Sequence, residues 1–523
     1  MDTFYNMQND QVVVNKLSIN PLKETDQRDT PNPCILVIFG ASGDLTGRKL
    51  IPAIYNLMKD GQLPPHFACV GVARREKNRE AFCKEMQEHI QKFSRTKATN
   101  GDLEAFTEKL YYYKGDFQED TLYPDLEKFL QELDKKHGTK GNRLFYLSTP
   151  PSSFTPIIEK LKKYRLVYDI SETRFSRVII EKPFGHDNKS ALLLQNELSK
   201  NLSENQIYRI DHYLGKETVQ NLLVFRFSNS LFEGVWNNRY VDNLQISVAE
   251  SIGIEGRGNF FEGQGLVRDI VQNHLMQLLS LVAMEPPTNL SAEAIRDEKV
   301  KVLQSLQRFN EEQIENFAVR GQYKEGFIDG EPVIAYRSEP HVQKDSQIET
   351  FAAIRLQIEN WRWAGVPIYI RAGKRLPKRS TEIVVTFKRT PNILFHKHDK
   401  NNAPNQVIFR IQPNEGISMK FNSKVPGSTN LIQPVNMDFQ YANYFGKAVP
   451  EAYERLIYDA ILGDGTLFAR VDESLSSWEF LTPILESWAS HPLEEEDFYP
   501  SGTWGPTSVD YLLRREHKNW KPL

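Results

Sequence analysis

The sequence predicts an α/β domain with a parallel sheet, followed by a larger α+β domain with a broad, mainly antiparallel β-sheet. Three observations carry this expectation. A chain of 523 residues is longer than one hydrophobic core serves, so two or more domains are expected. From Cys34 to about Gln206 the apolar runs CILVIF, FACVGVA, LYYY, RLFYLS and RVII alternate with helical patterns. That is a βαβ series, whose strands run parallel and meet ligands at their carboxyl ends. Further on, Ile417, Met419 and Phe421 alternate with Ser418, Lys420 and Asn422, and Val435, Met437, Phe439 and Tyr441 with Asn436, Asp438 and Gln440. Strict period two is the mark of half-buried antiparallel strands.

Taken in order, residues 1–33 form a polar leader with Pro21, Pro31 and Pro33 and no sustained periodicity, which predicts a loose segment. Residues 34–209 form the first domain and 210–523 the second. In the second, a strand QISVAESI precedes a strongly helical segment from about Gly265 to Met284 and another near Ala292 to Phe309. The strands VPIYIRAG, EIVVTFK and QVIFRIQ lead into the alternating pair above, and helices at about 450–463 and 473–488 close the fold.

Composition narrows the function. Hydrophobic residues make up 40% and charged residues 25% of the chain, ordinary for a globular protein. Lys and Arg total 65 against 68 Asp and Glu, a net charge of -3. Such a balance gives no broad attraction for nucleic acid or an anionic membrane, so phosphate recognition must be local. The three cysteines, Cys34, Cys69 and Cys83, form no CxxC pair and fit a reducing compartment. No basic n-region with an apolar run opens the chain, and no apolar stretch is long enough to span a bilayer. These features predict a cytoplasmic protein, and no metal site is expected.

The first strand runs straight into Gly40-Ala41-Ser42-Gly43-Asp44-Leu45-Thr46, followed by Arg48 and Lys49. Glycines there allow a tight turn and close approach of backbone N–H groups to a pyrophosphate at a helix N-terminus, as in a Rossmann-type dinucleotide-binding domain. The spacing departs from GxGxxG and alone is also that of a plain strand-to-helix turn; its place at the head of the βαβ series favours the nucleotide. Pro52 predicts a late helix start or a kink. The second strand ends in Arg74 and Arg75, where an acidic residue usually binds the ribose hydroxyls of NAD. Arginine suits the 2′-phosphate of NADP, the alternative being a solvated charge pair.

Four further clusters carry chemistry. Tyr208-Arg209-Ile210-Asp211-His212-Tyr213-Leu214-Gly215-Lys216-Glu217 offers His212, Tyr213 and Lys216 as donors for a phosphate; a polar helix start facing water is the alternative. In Arg268-Asp269-Ile270-Val271-Gln272-Asn273-His274, His274 shares a helical face with Ile270 and Leu278 and should be partly buried. Alcohol oxidation needs a base for the hydroxyl proton, and imidazole titrates in the right range, although a lone histidine there is more often a core group. Asp269 lies five positions earlier, on a different helical face, so a carboxylate from elsewhere must orient His274, and Asp211 is the candidate. Glu181-Lys182-Pro183-Phe184-Gly185 places Lys182 at a sheet carboxyl end where cofactor and substrate meet, with a cis proline bond as one option. Lys374 and Arg379, after Arg371-Ala372-Gly373, offer cations at a strand end, as would a solvent-facing charge run.

Together FGASGDLT, EKPFG, RIDHYLGKE, RDIVQNHLMQLLSLVAME, VPIYIRAGKRL and YERLIYDAILGD resemble the glucose-6-phosphate dehydrogenase family, in the family's order, from about residue 34 to GPTSVDYLL. The resemblance implies oxidation of glucose 6-phosphate at C1 to the 6-phosphogluconolactone with NADP, feeding the oxidative pentose phosphate route. It implies His212, Tyr213 and Lys216 on the substrate phosphate, and His274 as the base paired with Asp211. Asp269 and Glu250 would hold sugar hydroxyls, Lys374 and Arg379 would meet substrate, and Lys182 both substrate and cofactor. The loop Gly40–Leu45, Lys49 and Arg74 would bind NADP. It also implies a homodimer or homotetramer formed through the antiparallel sheet domain. Two departures stand out: Gly47 replaces a further lysine common in the family, and LSTPP replaces LALPP. The rival readings are a glucose–fructose oxidoreductase-type dehydrogenase, which lacks the RIDHYLGKE cluster, and a non-catalytic NADP-binding sensor.

Overall fold

The computed structural model describes residues 31–171, 174–391, 403–427, 431–445 and 450–523, so all but the last three residues of the expected leader lie outside the described residues. The first sheet contains β1 (Cys34–Phe39), β2 (Phe67–Ala73), β3 (Leu110–Lys114), β4 (Arg143–Leu147), β5 (Ser176–Ile180) and β6 (Ile207–Ile210). All six run parallel, and each predicted apolar run of the βαβ series is a strand. Those runs are continuous because the sheet is covered on both faces: Cys34, Leu36 and Ile38 enter one core cluster, and Ile35, Val37 and Phe39 another. The strand order β6-β5-β4-β1-β2-β3 reverses between β1 and β4, the position where α/β sheets open a ligand crevice at their carboxyl ends.

The second sheet is assembled from β7 (Val241–Ala249), β8 (Ala318–Lys324), β11 (Phe351–Leu356), β12 (Ile368–Gly373), β13 (Ser380–Phe387), β14 (Gln406–Gln412), β15 (Gly416–Lys424), β16 (Ile432–Gln440) and β18 (Phe498–Pro500). Its order is β16-β15-β14-β13-β7-β12-β11-β8-β18. Only β7·β12 and β8·β18 pair in parallel, so the expectation of a broad, mainly antiparallel sheet is met. A separate hairpin joins β9 (Gly326–Ile328) to β10 (Glu331–Val333). One face of β7, with Leu244, Ile246 and Val248, enters the main core. On the other, Gln245 bonds the C-terminal segment at Asn519 O (3.0 Å) and Lys521 N (2.9 Å), and Arg371 stacks on Trp520 at 4.3 Å.

Three sequence expectations need correction. β15 and β16 are the expected antiparallel pair, but neither buries the expected apolar face: in β15 Ser418 is buried while Phe421 is exposed, and beyond Ile432 the side chains of β16 are exposed or intermediate, with Met437 62% exposed. Among the described residues no strand follows β16 in the sheet and little packs against either of its faces. Near Pro52 the helix does not start late. The helix opens at Asp44 and widens into a π-turn over Thr46–Leu50 before Ile51–Lys59 continues as α-helix, so Pro52 lies inside one continuous helix, directly after a π-turn, the kind of irregularity that accompanies a proline in a helix interior. Finally, β17 (Phe468–Ala469) pairs antiparallel with β6, so the first sheet takes its edge strand from far beyond residue 209.

Candidate active site

The site forms where β5, β6, β7 and β12 end against the helix that starts at Val267. That helix is π-helical over Val267–Leu275 and α-helical over Met276–Ala283. A π-turn carries an extra residue per turn, so positions five apart come onto one side. Asp269 is therefore not on a different face from His274, as α-helical geometry predicted. Both reach Lys182, whose ammonium donates to Asp269 O at 2.6 Å and Asp269 Oδ1 at 3.0 Å and stands 3.2 Å from His274 Nε2. His274 is also fully rather than partly buried, at 3% exposure, because the helix is packed between the second sheet and the helix Val471–Ser490.

The orienting carboxylate is Asp211, which directly follows β6. Its Oδ1 lies 2.5 Å from His274 Nδ1, and it is buried. Lys182 has only donors to offer, so the contacts assign the imidazole proton to Nδ1, donated to Asp211, and leave a lone pair on Nε2. Burial alone would raise the Asp211 carboxyl, but the adjacent His274 holds it down at about 2. Burial lowers the His274 imidazole against the pull of Asp211, which keeps it neutral, as a base must be. For Asp269, burial opposes ionisation and the Lys182 and Lys374 ammonium groups overcome it, holding the carboxyl low.

Around this pair a cleft of about 830 Å³ is lined by Lys49, Lys182, His212, Tyr213, Lys216, Glu250, Asp269, His274, Lys374 and Arg379, among others. Every substrate residue expected from the sequence is therefore on one wall or another. The parallel register Ala249↔Gly373 sets Lys374 beside Glu250, to whose Oε2 its ammonium donates at 2.6 Å. Tyr213 is buried and stacks on His274 with centroids 4.2 Å apart; the ring of His212 meets His274 edge-on at 4.6 Å. Burial pushes His212 well below its usual range. Lys216 donates to Gln412 Oε1 at 3.0 Å, and Arg379 reaches the same oxygen at 3.2 Å.

Sequence reading missed several residues here. Gln412, whose amide nitrogen also faces Tyr213 OH at 3.3 Å, is the last residue of a strand and carries no local signal. Glu181, although part of the quoted EKPFG motif, was given no role. It is held by Tyr146 OH at 2.5 Å and Tyr453 OH at 3.3 Å, and burial raises its carboxyl. The peptide Lys182–Pro183 is cis. Asp211, His212 and His274 have ligand atoms within 4.8 Å of one another, but the Lys182 ammonium stands at the free nitrogen of His274, where a metal cation would be repelled.

The loop Gly40–Leu45 directly follows β1. Gly40 has φ 83, and a Cβ there would lie 2.1 Å from Ser148 O, so only glycine is accommodated. Gly40 N and Ala41 N bind Val72 O at 2.9 and 3.2 Å, which fixes the loop against the end of β2, while Ser42, Gly43, Asp44 and Leu45 form its accessible crest at the start of a helix. Arg74 is open to solvent near Asp116. Lys49, expected on the cofactor, lines the same cleft as the expected substrate residues and pairs with Glu451 at 2.8 Å. In place of the further lysine, Gly47 lies under His89, whose Cε1 is 2.5 Å from a Cβ built on that glycine.

Comparison with known proteins gives a consistent result. Residues 37–221 match the family model described as glucose-6-phosphate dehydrogenase, NAD binding domain, and residues 223–521 the model of its C-terminal domain. A glucose-6-phosphate 1-dehydrogenase of Chlamydia pneumoniae is 51% identical over 94% of this chain and 96% of its own length. One from Bacillus subtilis is 44% identical over 93% and 98%. A solved structure described as glucose-6-phosphate dehydrogenase in complex with its substrate glucose-6-phosphate superposes with a TM-score of 0.85 at 36% identity, covering 95% of this chain and all of that one.

Proposed function

Because the chain belongs to the glucose-6-phosphate dehydrogenase family, we propose that it oxidises D-glucose 6-phosphate at C1 to 6-phospho-D-glucono-1,5-lactone with NADP as acceptor, the first step of the oxidative pentose phosphate pathway. The observation that carries this reading is the buried Asp211–His274 pair, with Nε2 of His274 free to accept a proton at the wall of a cleft rich in cations. Lys182 now stands at that nitrogen; the C1 hydroxyl takes its place and gives its proton to His274. Asp211 stabilises the imidazolium that results, as a buried carboxylate does for a histidine base. NADP, when bound, supplies the acceptor for the hydride leaving C1.

Glu250, Asp269 and Lys374 support the sugar hydroxyls. Lys216, Arg379, His212 and Tyr213 hold the phosphate, with Gln412 as their shared partner; the position of Lys49 on the same cleft favours the phosphate over the cofactor. The loop Gly40–Leu45, Arg74 and Lys182 serve NADP. The sheet assignments support a domain division at 34–209 and 210–523 apart from Ile210, which ends β6, and β17. We also read the chain as a cytoplasmic homo-oligomer. Its three cysteines are free thiols, and no described helix is long and apolar enough to cross a membrane. The open edge of the second sheet exposes Phe421, Val435 and Met437, an apolar strip suited to a second copy.

The test follows NADPH absorbance with glucose 6-phosphate as the only sugar, and then with glucose. Turnover with the phosphate ester and little with free glucose is expected. Equal efficiency on both would remove the phosphate pocket and favour a glucose–fructose oxidoreductase-type enzyme; no turnover with either would favour a nucleotide sensor.

A further inference from the structure

A carboxylate lies beside the place where the 2′-phosphate of NADP is expected. The parallel register aligns Ala73 with Lys114, and Gly115 N bonds Ala73 O at 3.0 Å. Arg74, the next residue on one side, and Asp116 on the other are thereby neighbours at the carboxyl ends of β2 and β3. The guanidinium of Arg74 is 3.9 Å from Asp116 Oδ2, with the arginine side chain 69% and the aspartate 30% exposed. Asp116 is fixed by the backbone, its Oδ1 accepting from Gln118 N at 2.9 Å. Both therefore border the nucleotide loop, which is tied to the same strand end through Val72 O.

The acidic residue that in NAD enzymes ends the second strand and accepts the ribose hydroxyls is an arginine here, and a carboxylate stands one strand over. A 2′-phosphate at Arg74 meets a fixed negative charge, whereas a bare 2′-hydroxyl meets an acceptor. Other charges on this rim are Arg75, which is exposed, and the Lys114–Glu76 pair, which is self-neutralising. Asp116 is the carboxylate left to face the ribose.

We propose that Asp116 is a coenzyme-specificity residue that restrains the preference for NADP over NAD. The inference rests on the placement of the 2′-phosphate at Arg74, so the experiment separates the two. Dissociation constants for NADP and NAD are measured by quenching of protein fluorescence on the full chain without sugar, for wild type, Asp116→Asn and Arg74→Ala, at low and high salt. Asp116→Asn is expected to tighten NADP roughly two- to fivefold, as for a partly exposed charge pair, and to leave NAD equal or weaker. The gain should shrink in salt, because the contact is screened. Arg74→Ala should weaken NADP roughly tenfold or more. An unchanged NADP to NAD ratio in Asp116→Asn, or both constants moving together, overturns the role of Asp116 while leaving Arg74 intact. Unchanged NADP binding in Arg74→Ala overturns the placement beneath it. Should Asp116→Asn fail to fold, Asp116→Ser, which keeps an oxygen for the Gln118 amide, carries the same expectation.

Discussion

Where His274 lies, the charges of the cleft come in touching pairs, His274 with Asp211, Lys182 with Asp269 and Lys374 with Glu250; around Lys216 and Arg379 the shared partner is a neutral amide, Gln412. The first arrangement is already balanced before substrate arrives. Its groups are held in position and need little reorganisation when charge shifts during proton transfer. The second leaves Lys216 and Arg379 with no carboxylate within hydrogen-bond reach among the described residues, although Lys49 near them is paired with Glu451, and burial makes this costly for Lys216, whose ammonium is pushed toward deprotonation. An anionic group that displaces the amide relieves that cost. On the proposed reading, the cleft binds the phosphate at one end and reacts at the other, with different electrostatic means.

The comparison breaks most readily at His274. Asn in its place should cut kcat by roughly 10²–10⁴ while NADP binding, followed by fluorescence, stays near wild type; full turnover would move the base elsewhere. At the opposite end, Lys216→Gln should lower kcat/KM for glucose 6-phosphate roughly 10- to 150-fold, the range of a lost charge-assisted hydrogen bond, and leave any slow oxidation of glucose unaffected. Equal losses on both sugars would mean that the two ends are not separate. A pH profile sharpens the reactive end. His274 must be neutral to act, and burial sets its pKa below the ordinary value near 6.5, so kcat/KM should rise with pH through a limb on the acid side and then level. Asp211 raises that pKa, so Asp211→Asn should move the limb to lower pH and lower the plateau; a limb that stays in place would detach Asp211 from the base.

The smallest expected effect is at Gly47, two residues before Lys49. Gly47→Ala drives a methyl into His89, an overpacking of about 1–3 kcal/mol offset by up to ~1 kcal/mol of helix propensity. Thermal unfolding should show a modest loss, and adding His89→Ala should turn it into a gain. KM for glucose 6-phosphate should rise only if Lys49 shifts with its helix.

Much of this was legible in the residues. CILVIF and FACVGVA read as buried parallel strands because both faces are covered; Lys182 was placed at a strand end and His274 on a helix, and Asp211 was paired with His274, although the strand β6 that delivers it was not foreseen. The helix geometry was not legible: residue pattern encodes an apolar face, not an i→i+5 turn, so Asp269 was put on the wrong side of its own helix. Gln412 and Tyr453 enter the site only because distant strands and helices converge there. The exposure of Met437 was misjudged because alternation tells which side chains share a face, not whether anything covers it.

The late arrival of β17 has a consequence for how the chain is made. Ile210 waits for Phe468 as its strand partner, and at a synthesis rate of about 5–20 residues per second the interval is roughly ten to fifty seconds. Throughout that time the nascent nucleotide-binding half presents β6 as a bare edge, the kind of surface on which chains aggregate. Ribosome-bound fragments ending before Phe468 should accordingly depend on holdase chaperones, and that dependence should fall once the segment through Ala469 has emerged.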